Sequence, residues 1–331
     1  MNTENFSKRL VKILTIGFHL IFPTILGPSA EAEAKRIIVK TIPLALNEKQ
    51  PEQPHVGSLH YRGGLVISST KSGFGGFSAL GVSSDGKRMI AISDMGYRFA
   101  ARLIYNKESL LIGLNRTELD SLAKPDGTAL KRKAESDIES MCPGVDGEII
   151  ISFERQHRIW RYFPGKTIPE PIPSPVELDG LPKNAGVESL ALLNNGSLFA
   201  IAEGFPKISS TLAWVSNPNG WSAMTYVLDG GFHPSGAATL PNGDVLVLER
   251  RFTLRDGVAA RIRRITGTSI QPGAELSSKL LAEFRNPVTT DNFEGIAIRQ
   301  NQKGQTMVYI ISDDNFNPMQ RTLLMMFELK E

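Results

Sequence analysis

The chain has 331 residues, of which 41% are hydrophobic and 21% are charged, and its formal net charge is +3. Its lysines and arginines are scattered and no nucleic-acid-binding motif occurs, so we expect no nucleic-acid partner. A single cysteine, Cys142, excludes an intrachain disulfide, so strand pairing and core burial must hold the fold together.

The first 34 residues have the pattern of an export signal. A basic stretch (8–12) precedes an apolar run (13–27), and small residues suited to signal peptidase follow over 30–34. The apolar run is shorter than the roughly 20 residues that a membrane span needs. An uncleaved membrane anchor is the alternative. We predict a signal peptide over 1–34, a domain over 35–331 without stable membrane insertion, and a periplasmic or secreted location.

A short motif recurs five times along the rest of the chain. Its second residue, which we call the anchor, is followed eight residues later by a glycine in the first four copies, and that glycine always follows Asp or Asn. Such pairs favour tight hairpin turns. The anchors, spaced 47–61 residues apart, are Ser78, Glu139, Glu188, Ser235 and Glu294. This spacing is close to the length of a four-stranded propeller blade.

A β-rich run follows each turn, and an acid comes at its end. The acids are Asp94, Glu154, Glu203, Glu249 and Asp313. Candidate outer strands lie between the hairpins. No amphipathic helix is clear, although 106–122 can hold a short one.

These patterns predict an all-β fold consisting of a single β-propeller. We expect five or six blades of four-stranded antiparallel sheet, since 35–76 or 97–136 can hide a degenerate sixth blade. The run over 322–329 reads as a last strand, and N-terminal strands are expected to complete the final blade. A β-helix or a two-sheet sandwich is the alternative.

Three anchors are glutamates, and we expect them to bind a metal ion. The innermost strand of each blade lines a propeller's channel, so Glu139, Glu188 and Glu294 should converge on the axis. Three carboxylates cannot stay ionised in a small space without neutralisation. Ca²⁺, which prefers oxygen ligands, is the simplest solution. The alternative is that water-filled distances keep the carboxylates apart.

The acids at the strand ends are candidate catalytic groups, namely Glu154, Glu203, Glu249 and Asp313. Basic residues near them are candidates for binding a small anionic substrate, because the guanidinium fork binds phosphate or carboxylate through two hydrogen bonds. These residues are Arg98, Arg155, Arg250, Arg321 and His157. Structural ion pairs between blades are the alternative interpretation.

Several motifs together resemble the phytase-like ("esterase-like activity of phytase") family of exported bacterial proteins. They include Gly75-Gly76-Phe77-Ser78, Ser152-Phe153-Glu154-Arg155, Leu248-Glu249-Arg250-Arg251-Phe252, Asn292-Phe293-Glu294-Gly295 and Ser312-Asp313-Asp314-Asn315. The resemblance extends over about residues 57–331. It implies a propeller and the hydrolysis of an ester or phosphoester. Calcium-dependent propeller phytases are a more distant likeness, and in two blades serines, Ser78 and Ser235, stand where those enzymes would have carboxylates.

The predicted function is therefore a metal-dependent hydrolase of an ester or phosphoester. In such an enzyme the cation polarises the substrate and activates a water, with a carboxylate at the strand ends as base. The alternative is a non-catalytic ligand-binding or scaffold propeller in which the channel acids hold a structural cation. The sequence points to no particular protein partner.

Overall fold

In the computed structural model, which describes residues 35–130, 133–204 and 208–330, the chain forms five β-sheets. The predicted signal peptide, 1–34, lies outside the described residues. Within the described residues, no helix has both the length and the apolar character needed to cross a membrane.

Each sheet is one blade of a propeller, and the strands of the first four blades are as follows. Blade 1 contains β5 (Phe77–Val82), β6 (Arg88–Ser93), β7 (Tyr97–Tyr105), β8 (Leu111–Ser121) and an edge strand β1 (Lys35–Arg36). Blade 2 contains β9 (Ile138–Pro143), β10 (Ile149–Phe153), β11 (Arg158–Tyr162) and β12 (Glu170–Ile172). Blade 3 contains β13 (Val187–Leu192), β14 (Leu198–Ala202), β15 (Ser210–Asn217), β16 (Gly220–Val227) and β20 (Glu275–Leu276). Blade 4 contains β17 (His233–Thr239), β18 (Val245–Thr253), β19 (Gly257–Ile265) and β21 (Lys279–Phe284).

Blade 5 joins the two ends of the described chain. It contains β22 (Phe293–Gln300), β23 (Thr306–Ser312), β24 (Thr322–Leu329), β4 (Leu59–Ser68) and β2 (Lys40–Pro43), with β3 (His55–Val56) on β4. The antiparallel pairing of β24 with β4 confirms that N-terminal strands close the last blade. The innermost strands β5, β9, β13, β17 and β22 contact one another in a ring.

The described residues form five blades, which settles the choice between five and six. The residues over 97–121 are outer strands of blade 1, and those over 59–68 belong to blade 5. The segment 106–122, which the sequence allows to hold a short helix, instead contains the strand β8. Helical structure in the described residues comprises α1 (Lys133–Ser136) and two 3₁₀ turns, Val176–Gly180 and Gly267–Ser269.

The hydrophobic core lies between the blades, with one apolar cluster at each junction of neighbouring blades. Strand β23 shows the arrangement. Val308 and Ile310 pack toward blade 4, whereas Met307, Tyr309 and Ile311 pack toward blade 1. Successive side chains of a strand point to opposite faces, and here both faces are covered. The strands therefore read as almost continuous apolar runs, and burial between blades locks the ring together.

The repeat glycines of the first four copies, and Gly304 ten residues after the fifth anchor, occupy the turns between the first and second strand of each blade. All have positive φ angles, between 71° and 92°, at Gly86, Gly147, Gly196, Gly243 and Gly304. Glycine reaches this region without the steric cost that a Cβ atom brings. The predicted hairpin turns are confirmed.

Candidate active site at the channel mouth

Each innermost strand contains one bulged residue near its start. In β5, Phe77 pairs with Ser93 and Ala79 pairs with Ile92, so Ser78 has no partner across the ladder. The same skip occurs at the same place in the other four innermost strands. The bulged residues are the five anchors, Ser78, Glu139, Glu188, Ser235 and Glu294. We call the end of the channel at which the five anchors lie the mouth. Bulges re-aim side chains and are over-represented next to active sites, so the mouth is the candidate active site.

Four of the five predicted acids follow the second strand of a blade at this mouth. They are Asp94, Glu154, Glu203 and Asp313, and each backbone N–H donates to a carbonyl just before the innermost strand, at 2.8–2.9 Å. The four residues are thus structurally equivalent, as the repeat predicts.

In blade 4 the equivalent position belongs to Arg250 rather than to Glu249. Arg250 pairs with His233, and Glu249 pairs with Pro234, one step further into the sheet. A shift of one residue turns a strand side chain to the opposite face. We therefore remove Glu249 from the candidate catalytic set and assign its place at the mouth to Arg250.

The surroundings of Glu249 agree with a structural role. Its side chain is fully buried, forms an ion pair with Arg261, and accepts a hydrogen bond from the Tyr226 hydroxyl at 2.8 Å. Burial raises the pKa of Glu249, while Arg261 opposes that rise. Because Tyr226 belongs to blade 3, this network joins blade 3 to blade 4, and it lies away from the channel.

Two groups of three carboxylates lie at the mouth. The first contains Asp137, Glu139 and Glu154, and the second contains Glu154, Glu188 and Glu203. In each group, one oxygen from every residue lies within 4.8 Å of the others. Blades 2 and 3 therefore supply five converging carboxylates, and Glu154 belongs to both groups.

The three predicted metal ligands, Glu139, Glu188 and Glu294, do not lie together in one group. Glu139 belongs to the first group and Glu188 to the second. Glu294 lies 3.3 Å from the Nε atom of Arg250 and accepts a hydrogen bond from the Asn292 amide at 2.8 Å. In the described part of the chain, Glu294 is thus held by protein groups and belongs to neither three-carboxylate group.

Glu139 and Glu188 are the two carboxylates of these groups that have neither a hydrogen-bond donor nor an ion pair among the described residues. Glu188 is only 4% exposed, and Glu139 is partly exposed to the channel. Among the described residues, no hydrogen-bond donor or cation within 4.0 Å partners either carboxylate, whereas Glu154 accepts the N–H of Gly186 at 3.4 Å. Arg250 opposes the rise in the pKa of Glu188, but a largely buried carboxylate without a closer partner is costly, so a bound proton or cation would stabilise both groups.

Burial and mutual repulsion make these acids hold their protons. Burial, followed by repulsion from neighbouring carboxylates, raises the pKa of Glu139 and of Glu188 well above the usual range. Burial also raises the pKa of Glu154 to about 7 and that of Asp313 to about 8. The mouth therefore retains protons near neutral pH, and a cation must compete with them.

Two basic side chains border the first group. The Nζ atom of Lys133 lies 2.8 Å from Asp94 and 3.7 Å from Asp137, and Arg155 also forms an ion pair with Asp137. Asp137 is nearly fully buried. Arg155, one of the predicted substrate-binding residues, thus lies at the mouth with its guanidinium committed to Asp137.

Arg250 of blade 4 lies at the mouth between Glu203 of blade 3 and Glu294 of blade 5. Its Nε atom is 3.3 Å from Glu294, and its terminal nitrogen is 3.9 Å from Glu203. Burial lowers the pKa of Arg250, but Glu294 and the other carboxylates outweigh burial and raise it above the ordinary value. Arg250 is therefore a permanent cation facing the acids.

The remaining predicted substrate-binding residues lie elsewhere. Arg98 pairs with Asp120 on the outer strands of blade 1 at 2.7 Å. The Nε2 atom of His157 lies 3.1 Å from a proline carbonyl oxygen, and Arg321 lies 3.8 Å from Asp291. The structure brings none of these three together with the two carboxylate groups.

Three residues at the mouth were not among the predicted site residues: Lys133, Asp137 and His233. The available signal was the place two residues before each anchor, where Asp137, His233 and Asn292 are polar in three of the five copies. The Nδ1 atom of His233 is buried without a hydrogen-bond partner among the described residues. Burial, together with Arg250, lowers the pKa of His233. No repeat pattern points to Lys133, which lies in α1.

A family model described as "Phytase-like: Esterase-like activity of phytase" matches residues 72–316, which is most of the chain and includes every residue of the two carboxylate groups. A search of curated proteins found no match.

Solved structures with similar chain traces are distant in sequence. A protein of unknown function from Dyadobacter fermentans is 14% identical, with 88% of this chain and 91% of that chain covered and a TM-score of 0.45. A putative gluconolactonase is 14% identical, with coverages of 91% and 95% and a TM-score of 0.43. A gluconolactonase from Xanthomonas campestris is 11% identical, with coverages of 89% and 98% and a TM-score of 0.42.

Proposed function

This chain belongs to the phytase-like family, and we propose that it is a metal-dependent hydrolase of an ester or phosphoester. The observation that supports the proposal most strongly is the Glu154–Glu188–Glu203 group. Its three ligand oxygens lie within 4.8 Å of one another, and Glu188 is buried there without a donor. The pattern of residues 1–34 supports the further proposal that the enzyme acts in the periplasm or outside the cell.

The donor chemistry of this group suits a hard divalent cation, and we propose Ca²⁺. All three ligands are carboxylates, with no thiolate or imidazole among them. Glu188 then gains the neutralising partner that the described protein groups do not supply. The cation would be held by carboxylates of blades 2 and 3, and Arg250 borders the same group, 3.9 Å from Glu203.

The residues around the cation divide the work of hydrolysis. When bound, the cation supplies polarisation of the substrate oxygen and a lower pKa for a water molecule. Arg250 is placed to donate hydrogen bonds to an anionic substrate oxygen. Such charge-assisted hydrogen bonds would stabilise the bound substrate strongly. Asp313 has a pKa of about 8, so it carries a proton at neutral pH and can donate it to a leaving oxygen.

The second candidate function is a non-catalytic propeller with a structural cation, and the ion pairs between blades favour it. Lys133, just before blade 2, pairs with Asp94 after the second strand of blade 1. Arg250 of blade 4 contacts Glu203 of blade 3 and Glu294 of blade 5. In this alternative the charged residues at the mouth join blades and bind no substrate.

A hydrolysis screen separates the two candidates. Purified protein is assayed against phosphomonoesters, phosphodiesters and carboxyl esters, with Ca²⁺ and with chelator. We expect Ca²⁺-dependent hydrolysis of one class. Changing Arg250→Gln should lower kcat/KM by about 10²–10³-fold, as the loss of one key donor does in other hydrolases.

The matched control is Arg98→Gln, since Arg98 pairs with Asp120 away from the mouth, and it should retain activity. A folded, Ca²⁺-loaded protein that hydrolyses none of the three classes would support the scaffold function. Hydrolysis unaffected by chelator would remove the metal from the mechanism.

A further inference from the structure

The loop that follows β23 holds an aromatic side chain in an unfavourable backbone conformation. Asn315 and Phe316 are consecutive, and their φ angles are 48° and 50°. Asparagine tolerates this left-handed region, but a bulky residue such as phenylalanine rarely adopts it. A glycine would make the same turn without the steric cost. Strained residues of this kind concentrate at functional sites, so the place of the Phe316 ring calls for a functional explanation.

Two carboxylates fix the strained loop. The Oδ1 atom of Asp314 accepts the N–H groups of Gly76 and Phe316, at 2.9 and 3.0 Å. The N–H group of Asn315 donates to the Oδ1 atom of Asp313 at 2.6 Å. These hydrogen bonds hold the backbone on both sides of the ring before any ligand arrives. The ring is therefore preorganised, which lowers the entropic cost of binding against it.

The ring of Phe316 lies among the acids of blades 1 and 5 at the mouth. A Cβ atom added to Gly76 would lie 2.5 Å from the ring and 2.5 Å from an oxygen of Asp94, so the ring and this carboxylate are at most about 5 Å apart. Phe316 also follows Asp313, the proposed proton donor, by three residues. Phe316 is 48% exposed. The ring thus has a free surface beside the group that would protonate a leaving oxygen.

We propose that Phe316 determines specificity by contacting an aromatic leaving group, and that the preferred substrates are aryl esters or aryl phosphoesters. The inference rests on the proposed function and deepens it by naming the substrate class. Water adds to the acyl carbon or to phosphorus, and the bond from that atom to the aryl oxygen breaks. The aryl oxygen keeps the electron pair and takes the proton of Asp313. The water releases its second proton to solvent, from which Asp313 is protonated again.

An aryl group suits this position for a physical reason. Two aromatic rings in an offset or edge-to-face arrangement bind about twofold to tenfold more tightly than the buried area alone explains. The alternative is that the ring only packs on Gly76 and keeps the loop in place. A change of Phe316 would then alter the binding of aromatic and aliphatic ligands to the same extent. The ratio of the two affinities therefore separates a contact with the ligand from a structural role.

Calorimetric titration with two phosphonates in the presence of Ca²⁺ measures this ratio. Phenylphosphonate and methylphosphonate have the same tetrahedral anion, and neither has an ester bond to hydrolyse. We expect the wild-type protein to bind phenylphosphonate about tenfold more tightly. Phe316→Leu, which keeps an apolar side chain, should weaken phenylphosphonate about twofold to tenfold and leave methylphosphonate unchanged. Phe316→Tyr keeps a ring and should retain the preference.

The matched control is Phe163→Leu, a change at a partly exposed ring that follows β11 at the opposite end of the channel, and it should alter neither affinity. The melting temperature of every variant is recorded to verify folding. Failure of phenylphosphonate to bind the wild-type protein would overturn the inference, as would a ratio of affinities that is the same in Phe316→Leu as in the wild type.

The hydrolysis screen keeps this inference distinguishable from the proposed function. If Ca²⁺-dependent hydrolysis occurs while the ratio of phosphonate affinities does not depend on Phe316, this inference fails and the proposed function stands. If the ratio depends on the ring while no ester is hydrolysed, the proposed hydrolase fails and Phe316 remains a contact for an aromatic ligand.

Discussion

Removing Arg261 should destabilise the protein strongly, because Glu249 would remain as a buried charge. Arg261 is 6% exposed and Glu249 is fully buried, and Arg261 also covers the Phe232 ring at 4.2 Å. Breaking a buried ion pair by removing one partner costs about 3–5 kcal/mol. In a domain of this size one kcal/mol corresponds to about 2 °C, so Arg261→Met should lower the melting temperature by about 6–10 °C. Differential scanning calorimetry measures this directly.

A double variant tests whether the unpaired charge is the cause. Glu249→Leu combined with Arg261→Met replaces the ion pair by apolar side chains, and Tyr226 keeps the Ser278 hydroxyl as a partner at 3.1 Å. Such replacements are often neutral or stabilising, so the double variant should recover at least half of the lost melting temperature. A double variant as unstable as the single one would refute this reasoning. The shift in melting temperature on adding Ca²⁺ should be the same in all three proteins, since the pair lies away from the mouth.

Two further changes test the packing at the channel and the protonation of its acids. Gly295→Ala should lower the free energy of unfolding, measured in urea, by about 1–3 kcal/mol, because its Cβ atom would lie 2.9 Å from the backbone of β5. The control is Gly113→Ala, where the nearest atom to the new Cβ is 3.7 Å away, and it should cost far less. In chelator, stability should fall as the pH rises from 6 to 8, because Asp313, with a pKa of about 8, is protonated when folded and ionised when unfolded. Asp313→Asn should make stability depend less on pH, whereas Asp179→Asn, a change at an exposed residue, should not. An equal pH dependence of stability in both variants would contradict the role given to Asp313.

The propeller was predictable because its signals are local. An Asp-Gly or Asn-Gly pair specifies a tight turn, and the apolar runs on either side follow from burial on both faces of each strand. The blade count does not follow from local signals. Strands β7 and β8 belong to blade 1 and β4 to blade 5, and such pairing depends on contacts between segments far apart in the chain.

The sequence predicted most of the acidic residues of the site, but it did not predict which of them lie together. The anchors were identified, yet their bulges depend on pairing with the second strand, which the repeat does not reveal. Counting seven residues from the turn glycines Gly147, Gly196 and Gly243 leads to Glu154, Glu203 and Arg250, but Asp94 and Asp313 lie eight and nine residues after their glycines, so the count alone does not fix the position in blade 4. Glu249 resembles the acids of the other copies in residue type, although its register differs.

We expect a divalent cation to bind among Glu154, Glu188 and Glu203 at the channel mouth. Long-wavelength anomalous diffraction from crystals grown with millimolar Ca²⁺ tests it most directly. We predict an anomalous peak with oxygens of all three carboxylates at about 2.3–2.6 Å, and its disappearance in Glu188→Gln crystals. A map of the same crystals with no ion at the mouth, and with the Glu188 carboxyl hydrogen-bonded as a neutral acid, would contradict the claim.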